Sequence, residues 1–258
     1  MTALALPLRV YEFWLMQYRR SWRGTAVTTI INPVFYLGAL GFGLGTLVNR
    51  TGGEPLGVPY LEFVAPGMLA ATAMQIAAGE SSWPVMASIK WTRGYYAMLA
   101  TPLGIRDVIA GHQLWMTSRV AATSAVYLAV IAAFGAVNSA WAILALPTCV
   151  LVGLAFTAPI AAYAATQDDD GAFVPLNRFG IMPMFLFSGT FFPVDRLPLP
   201  LEWVAYATPL WHGVDLCRDL TLGTVDALAA LGHVAYLLLF VVTGLAWARR
   251  AYAQRLLK

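Results

Sequence analysis

Long runs without any charge alternate with short basic or turn-rich stretches along this chain. From Gly24 to Asn49 there is no Asp, Glu, Lys or Arg, and the same holds from Val120 to Gln167. A membrane crossing needs about 20 mostly apolar residues. The pattern therefore predicts six spans, at about 26–48, 61–81, 111–136, 140–165, 173–192 and 228–248. Gly135-Ala136-Val137-Asn138-Ser139 is the turn that divides the longest run. Residues 49–60 (NRTGGEPLGVPY) form a loop, and Pro33 is expected to kink the first span. Gly41 and Gly45 have the GxxxG spacing that lets helices approach closely, although a glycine-rich span with no partner face fits as well.

Residues 4–23 read differently. Leu8, Tyr11, Leu15, Tyr18 and Trp22 recur at helical spacing, while Arg9, Glu12, Arg19 and Arg23 fall elsewhere. This predicts an amphipathic helix in the headgroup plane, with Arg9, Trp14, Arg19 and Arg20 as its interface residues. These charges also interrupt any secretory h-region.

Composition makes lipid the expected solvent. The chain has 258 residues, 59% hydrophobic and 11% charged, where a soluble domain carries about 25% charged residues. Cys149 falls within a span and Cys217 in a polar-flanked segment, so neither a disulfide nor a metal site is expected. Basic residues are unevenly placed. With the N-terminus inside, Arg9, Arg19, Arg20, Arg23, Lys90, Arg93, Arg106, Arg178, Arg249, Arg250, Arg255 and Lys258 share one side, and Arg50, Arg196 and Arg218 take the other. That bias predicts cytoplasmic termini in a multi-pass protein of the cell membrane.

Between the second and third spans lies SIKWTRGYYAMLATPLGIRDVIAG, Ser88–Gly111. Val85, Ile89, Thr92, Tyr96 and Leu99 fall at helical spacing, with Lys90 and Arg93 on another face. The pattern fits a surface helix at about 84–100, ended by Thr101-Pro102. It fits equally a basic loop that only follows the positive-inside rule.

Two motifs carry a family resemblance. RGYYAMLATPLGIRDVIAG resembles the first cytoplasmic loop of ABC-2 type exporter permeases, and FLFSGTFFPVDRLPLPLEWVAYATPLWHGVDLCRDLTLG (Phe185–Gly223) resembles the element joining their last two spans. Within that family the chain resembles the nodulation-type lipo-oligosaccharide permeases and their actinobacterial drug-export relatives. The resemblance implies an all-α integral membrane domain over 1–258, with an N-terminal interface helix and a cytoplasmic coupling helix. It also implies an extracellular re-entrant hairpin at about 193–227. Lys90, Arg93, Tyr95, Tyr96, Leu99 and Pro102 would face an ATP-hydrolysing partner. Tyr95 and Tyr96 stand where the family often has an acid. The sequence has no G-x-x-x-x-G-K-[ST] phosphate loop, so ATP and Mg would be bound by separate subunits and this chain holds no cofactor. The implied assembly is two copies of this chain with two ATP-binding cassette subunits, in contact with membrane lipid and with no nucleic acid. The implied cargo is amphipathic: a lipid-linked saccharide, a glycolipid or a hydrophobic drug.

Arg119 is the charge inside a span, and either snorkels, pairs or meets an anionic headgroup. Phe191, Phe192, Trp203, Tyr206 and Trp211 suit an outer gate or exit path, or a plain aromatic belt. Two other classes stay open. An ion-coupled transporter would need titratable groups near the midplane, for which Arg119 and His112 are the candidates. A membrane transferase would need Asp168-Asp169-Asp170 to hold Mg²⁺-diphosphate, though a charged turn between spans explains the same triplet.

Overall fold

The computed structural model describes residues 5–50 and 57–257, and every regular element among them is helical. Leu4 at the start of the expected interface helix, residues 51–56 of the expected loop, and Lys258 lie outside the described residues.

Helix α1 is Ala5–Tyr18. Helix α2, Trp22–Gly38, runs on through a π-helical stretch Ala39–Leu44 into Gly45–Arg50. Helix α3 is Tyr60–Ser81, followed by the short α4 (Trp83–Lys90) and α5 (Gly94–Leu99). Helix α6 is Ile105–Ala133. A 3₁₀ turn Ala140–Leu144 leads into α7, Ala145–Thr166. An interrupted helix, α8, is built from Phe173–Pro175, a π-helical Leu176–Ile181 and Met182–Phe187. Then come α9 (Leu199–Tyr206), α10 (Pro209–Leu222) and α11 (Ala227–Leu256).

Five of these segments are long and apolar enough to cross a bilayer: Trp22–Val48, Tyr60–Lys90, Ile105–Ala133, Ala140–Thr166 and Ala227–Leu256. The stretch expected as a span at 173–192 differs. Its continuous helix ends at Phe187, roughly 22 Å from its start at 1.5 Å per residue. Gly180 and Pro183 weaken the ladder, and Gly189 turns the chain out of the helix at φ +79°. Boundaries also shift elsewhere. The third expected span starts earlier, at Ile105, because Asp107 accepts from the Gly104 N–H and caps the helix there. The last span continues through RRAYAQRL to Leu256, where Tyr252 and Leu256 find a buried face to pack against.

Packing follows side-chain size. Without a hydrophobic driving force in lipid, helices associate where small residues let backbones come close. Helix α3 has Gly67, Ala70, Ala71, Ala73, Ala77 and Ala78 and is the most buried of the five, lying against α6, α7 and α10. A Cβ on Gly67 would come within 2.9 Å of the Thr190 carbonyl oxygen, so this glycine admits the irregular segment after α8. Helix α2 is the opposite case. Val27, Ile30, Ile31, Val34, Phe35 and Tyr36 are all exposed along it.

Cys149 and Cys217 correct the expectation of unrelated surroundings. Helix α10 folds back against α7, and the two buried free thiols lie 3.8 Å apart.

Candidate functional site

Helix α1, α4, α5 and the ends of α6 and α11 form one braced end of the bundle, called here the basic end. Its apolar cluster joins Val10 and Trp14 of α1, Val85, Met86 and Ile89 of α4, Tyr95 of α5, Trp115 of α6 and Tyr252 of α11. Gly111 sets how close α1 can come. A Cβ there would lie 2.4 Å from the Pro7 carbonyl oxygen and 2.5 Å from Val10 Cβ. The buried stripe of α1 is rotated from the expected one: Val10 and Trp14 are innermost, Tyr11, Leu15 and Tyr18 half-buried, and Leu8 and Trp22 exposed. The helix packs on protein along one edge, so burial is set by α6 and not by its own apolar moment. Arg9, Arg19 and Arg20 are exposed, and Arg9 pairs with Glu12.

The segment expected as one coupling helix at 84–100 is two. Trp91–Arg93 breaks it, and Arg93 adopts φ +50°, the sole positive φ outside glycine among the described residues. The break reorients α5, so that Tyr95 turns inward and Tyr96 outward. Lys90, Arg93, Tyr96 and Pro102 are exposed and Leu99 is half-buried. Tyr95 is wholly buried, which removes it from the surface a partner could touch. Its hydroxyl shares a hydrogen bond of 2.5 Å with His112 Nδ1 and lies 3.4 Å from the Tyr252 hydroxyl. Burial first, then the neighbouring Tyr252, hold Tyr95 well above the ordinary phenol range, so it stays neutral. His112 in turn stacks on Trp14 with ring centroids 4.0 Å apart and planes 4° off parallel. Four side chains thus join α1, α5, α6 and α11.

Lys90 donates to the Asp168 carbonyl at 2.5 Å, and Asp168 pairs with Arg255 at 2.8 Å. Tyr96 donates to the Arg255 carbonyl at 3.4 Å. Asp169 accepts from the Gly171 N–H at 2.9 Å. Two members of the aspartate triplet therefore hold the turn after α7 and tie it to α4 and α11. These long-range ties could not be read from spacing, since Lys90 and Asp168 are 78 positions apart.

Arg119 is paired. Its Nε lies 3.1 Å from Glu80 Oε1, and its guanidinium sits 4.3 Å from the centroid of the Tyr18 ring. Together with Trp14, Trp115 and Thr92 these residues line a cavity of about 670 Å³ between α1, α3, α4, α5 and α6.

Within the bilayer-length segments, a smaller cavity of about 120 Å³ opens between α2, α3 and α6. Thr25, Thr29, Asn32, Thr72, Gln75 and Thr123 line it, and no lining residue is charged. The buried Thr123 hydroxyl has no hydrogen-bond partner among the described residues. Asn32 and Gln75 are exposed on this same face. Sequence reading passed over these residues because each is a single uncharged polar position inside an apolar run.

At the opposite end, α9 and α10 form a helical hairpin. Leu210, Val214 and Cys217 of α10 join the main core. Arg218 donates to the Phe63 carbonyl at 3.2 Å and the Gly189 carbonyl at 2.7 Å, and its guanidinium covers the Phe63 ring at 3.9 Å. Tyr60 donates to the Phe191 carbonyl at 3.3 Å. Phe191 and Phe192 are half-buried, Trp203 is exposed, and Tyr206 and Trp211 stack edge to face at 4.6 Å. A histidine pair missed in the sequence lies beside them. His212 Nδ1 and His233 Nδ1 are 2.8 Å apart, and His233 Nε2 is 3.4 Å from Asp215 Oδ2. Folding α10 against α11 brings them together.

Helices of this length and apolarity suit lipid as their solvent, so this is an all-helical, multi-pass integral membrane protein. The profile of the ABC-2 type transporter family matches residues 11–222, and the chain belongs to that family as a transport permease. It is similar to Nodulation protein J of Rhizobium leguminosarum bv. trifolii, at 33% identity over 238 residues that cover 89% of this chain and 88% of the relative. Nodulation protein J of Sinorhizobium fredii is 30% identical over 247 residues, covering 93% and 92%. That of Bradyrhizobium diazoefficiens is 29% identical over 263 residues, covering 99% and 98%.

Proposed function

We propose that this chain is the permease half of an ATP-driven exporter that moves a lipid-linked saccharide or glycolipid out of the inner leaflet. The observation that carries the reading is the uncharged polar face shared by α2, α3 and α6. Asn32 and Gln75 are exposed there within bilayer-length helices. Lipid tails offer no hydrogen bonds, so such amides belong against protein or a polar cargo. Hydroxyl and amide side chains match sugar hydroxyls, and the lack of charged lining favours a neutral polar moiety over a cationic drug. A hydrophobic drug uses fewer of these groups.

The poorly covered α2 and the interrupted α8 border this face. A second copy meeting it would enclose the path, and α8 would make the sixth crossing with its outer end completed by the α9–α10 hairpin. The excess of Arg and Lys at the basic end supports a reading with both termini in the cytoplasm. Two ATP-binding cassette subunits, holding ATP and Mg, would dock on α4 and α5 through Lys90, Arg93 and Tyr96. The Trp14–His112–Tyr95–Tyr252 contact would pass their movement into α1, α6 and α11. The aromatic hairpin would act as the outer gate.

The test is purification from the native membrane in mild detergent, with mass spectrometry of what accompanies the chain, then reconstitution. A stoichiometric phosphate-loop ATPase and ATP-dependent movement of a fluorescent glycolipid between leaflets are expected. Transport driven by a proton gradient with this chain alone would overturn the reading.

A further inference from the structure

Two adjoining cavities lie on the side of the bundle away from the polar face, between α6, α7 and α11. One, of about 480 Å³, is lined by Arg106, Arg249 and Arg250. The other, of about 610 Å³, shares Arg106 and Arg249 and continues over Leu114, Leu154 and Leu245. The three arginines are exposed, and among the described residues none makes an ion pair or a side-chain hydrogen bond. The nearest acid in sequence, Asp107, is turned to the Gly104 N–H at 2.9 Å. Among the described residues no carboxylate lines either cavity.

The charge and the apolar lining are ordered along the bilayer normal. Arg106 is in the first turn of α6, and Leu114 lies roughly 12 Å further along that helix at 1.5 Å per residue. Leu245 stands one turn before Arg249 on α11, again on the side away from the helix end. A groove with three cations at the headgroup level and leucines at acyl-chain depth is complementary to one kind of molecule. Basic pockets between transmembrane helices take anionic lipid headgroups. Soluble protein can reach the arginines but not the leucines beneath them.

We infer that this groove is a binding site for an anionic phospholipid, whose phosphate sits among Arg106, Arg249 and Arg250 and whose acyl chain lies along Leu114, Leu154 and Leu245. The orientation proposed above makes it a lipid of the inner leaflet. The site is separate from the transport path, so it acts as a lipid requirement of the permease and not as a cargo site.

The test uses the full-length chain in phosphatidylcholine vesicles containing either spin-labelled phosphatidylglycerol or spin-labelled phosphatidylcholine. Relative association is read from the motionally restricted signal. Wild type should favour phosphatidylglycerol. Arg106→Gln and Arg249→Gln should each lower that affinity about fivefold, the worth of one arginine near a charged headgroup, and leave phosphatidylcholine unchanged. Leu114→Trp keeps every charge, fills the acyl groove and should also reduce it, which decides the matter if an arginine variant fails to insert. Arg196→Gln, an exposed arginine at the opposite end of the bundle, should have no effect. Equal association of the two lipids with wild type would overturn the site. So would an equal loss in Arg196→Gln, or displacement of phosphatidylglycerol by millimolar inorganic phosphate.

Discussion

Substituting Arg119 by Met strips Glu80 of its partner, and the cost can be worked from the geometry. The pair is 3.1 Å long, with side chains 9% and 24% exposed for Arg119 and Glu80. Breaking a fully buried pair costs about 3–5 kcal/mol because one charge is left uncompensated. Glu80 keeps some access to water, so about 2 kcal/mol is the expected share. Loss of the guanidinium over the Tyr18 ring adds about 1 kcal/mol. Arg119→Met should therefore destabilise by about 3 kcal/mol, which at about 2–4 °C per kcal/mol for a chain of this size lowers Tm by about 6–12 °C. Glu80→Gln leaves Arg119 an amide acceptor and the ring, at about 1–2 kcal/mol. Arg119→Met/Glu80→Gln leaves no orphaned charge and should fall about 2 kcal/mol short of the sum of the singles. Thermal unfolding of the four purified proteins in one detergent closes the cycle. If the double variant lies at the sum of the singles, the two groups do not interact, and Arg119 would have to be explained by snorkelling or by a ligand.

Four further variants test the basic end. Tyr95→Phe leaves His112 Nδ1 buried without its 2.5 Å partner and should cost about 1–3 kcal/mol, while insertion and partner binding persist; unchanged stability would mean the hydrogen bond is not formed. Gly111→Ala brings a methyl against the Pro7 carbonyl and should lift α1, at about 1–3 kcal/mol; limited proteolysis ahead of Trp22 should then accelerate. Arg93→Glu should uncouple ATP hydrolysis from export with the fold intact, and Lys90→Glu should in addition loosen the turn at Asp168, read as faster proteolysis there. Normal coupling in Arg93→Glu would leave the docking surface without its main charge.

Sequence was enough to place the chain in lipid, to mark out the five helices long and apolar enough to cross it, and to mark which end is basic. These properties are local: a charge-free run of about 20 residues has no other stable home, and the motif at Phe185–Gly223 is continuous in the chain. Arg119 was legible too, because a lone charge in an apolar run is conspicuous. Asn32, Gln75 and Thr123 were not, since small uncharged polar residues are common in spans and become a face only when α2, α3 and α6 are side by side. Which side of each helix is inside emerged only on folding. Folding turned Tyr95 into the bundle through the break at Arg93, gave Arg119 its partner on another helix, and set the two cysteines and two histidines against each other. The expected fifth span also ends early, at Phe187, and there the signal was local: Gly180 and Pro183 lie within the stretch and Gly189 follows it. Apolar composition tells a helix to enter the bilayer but gives it no preferred neighbour, since lipid and leucine are equally oily. Neighbours are chosen by shape and by pairings between distant positions, and those exist only in the folded chain.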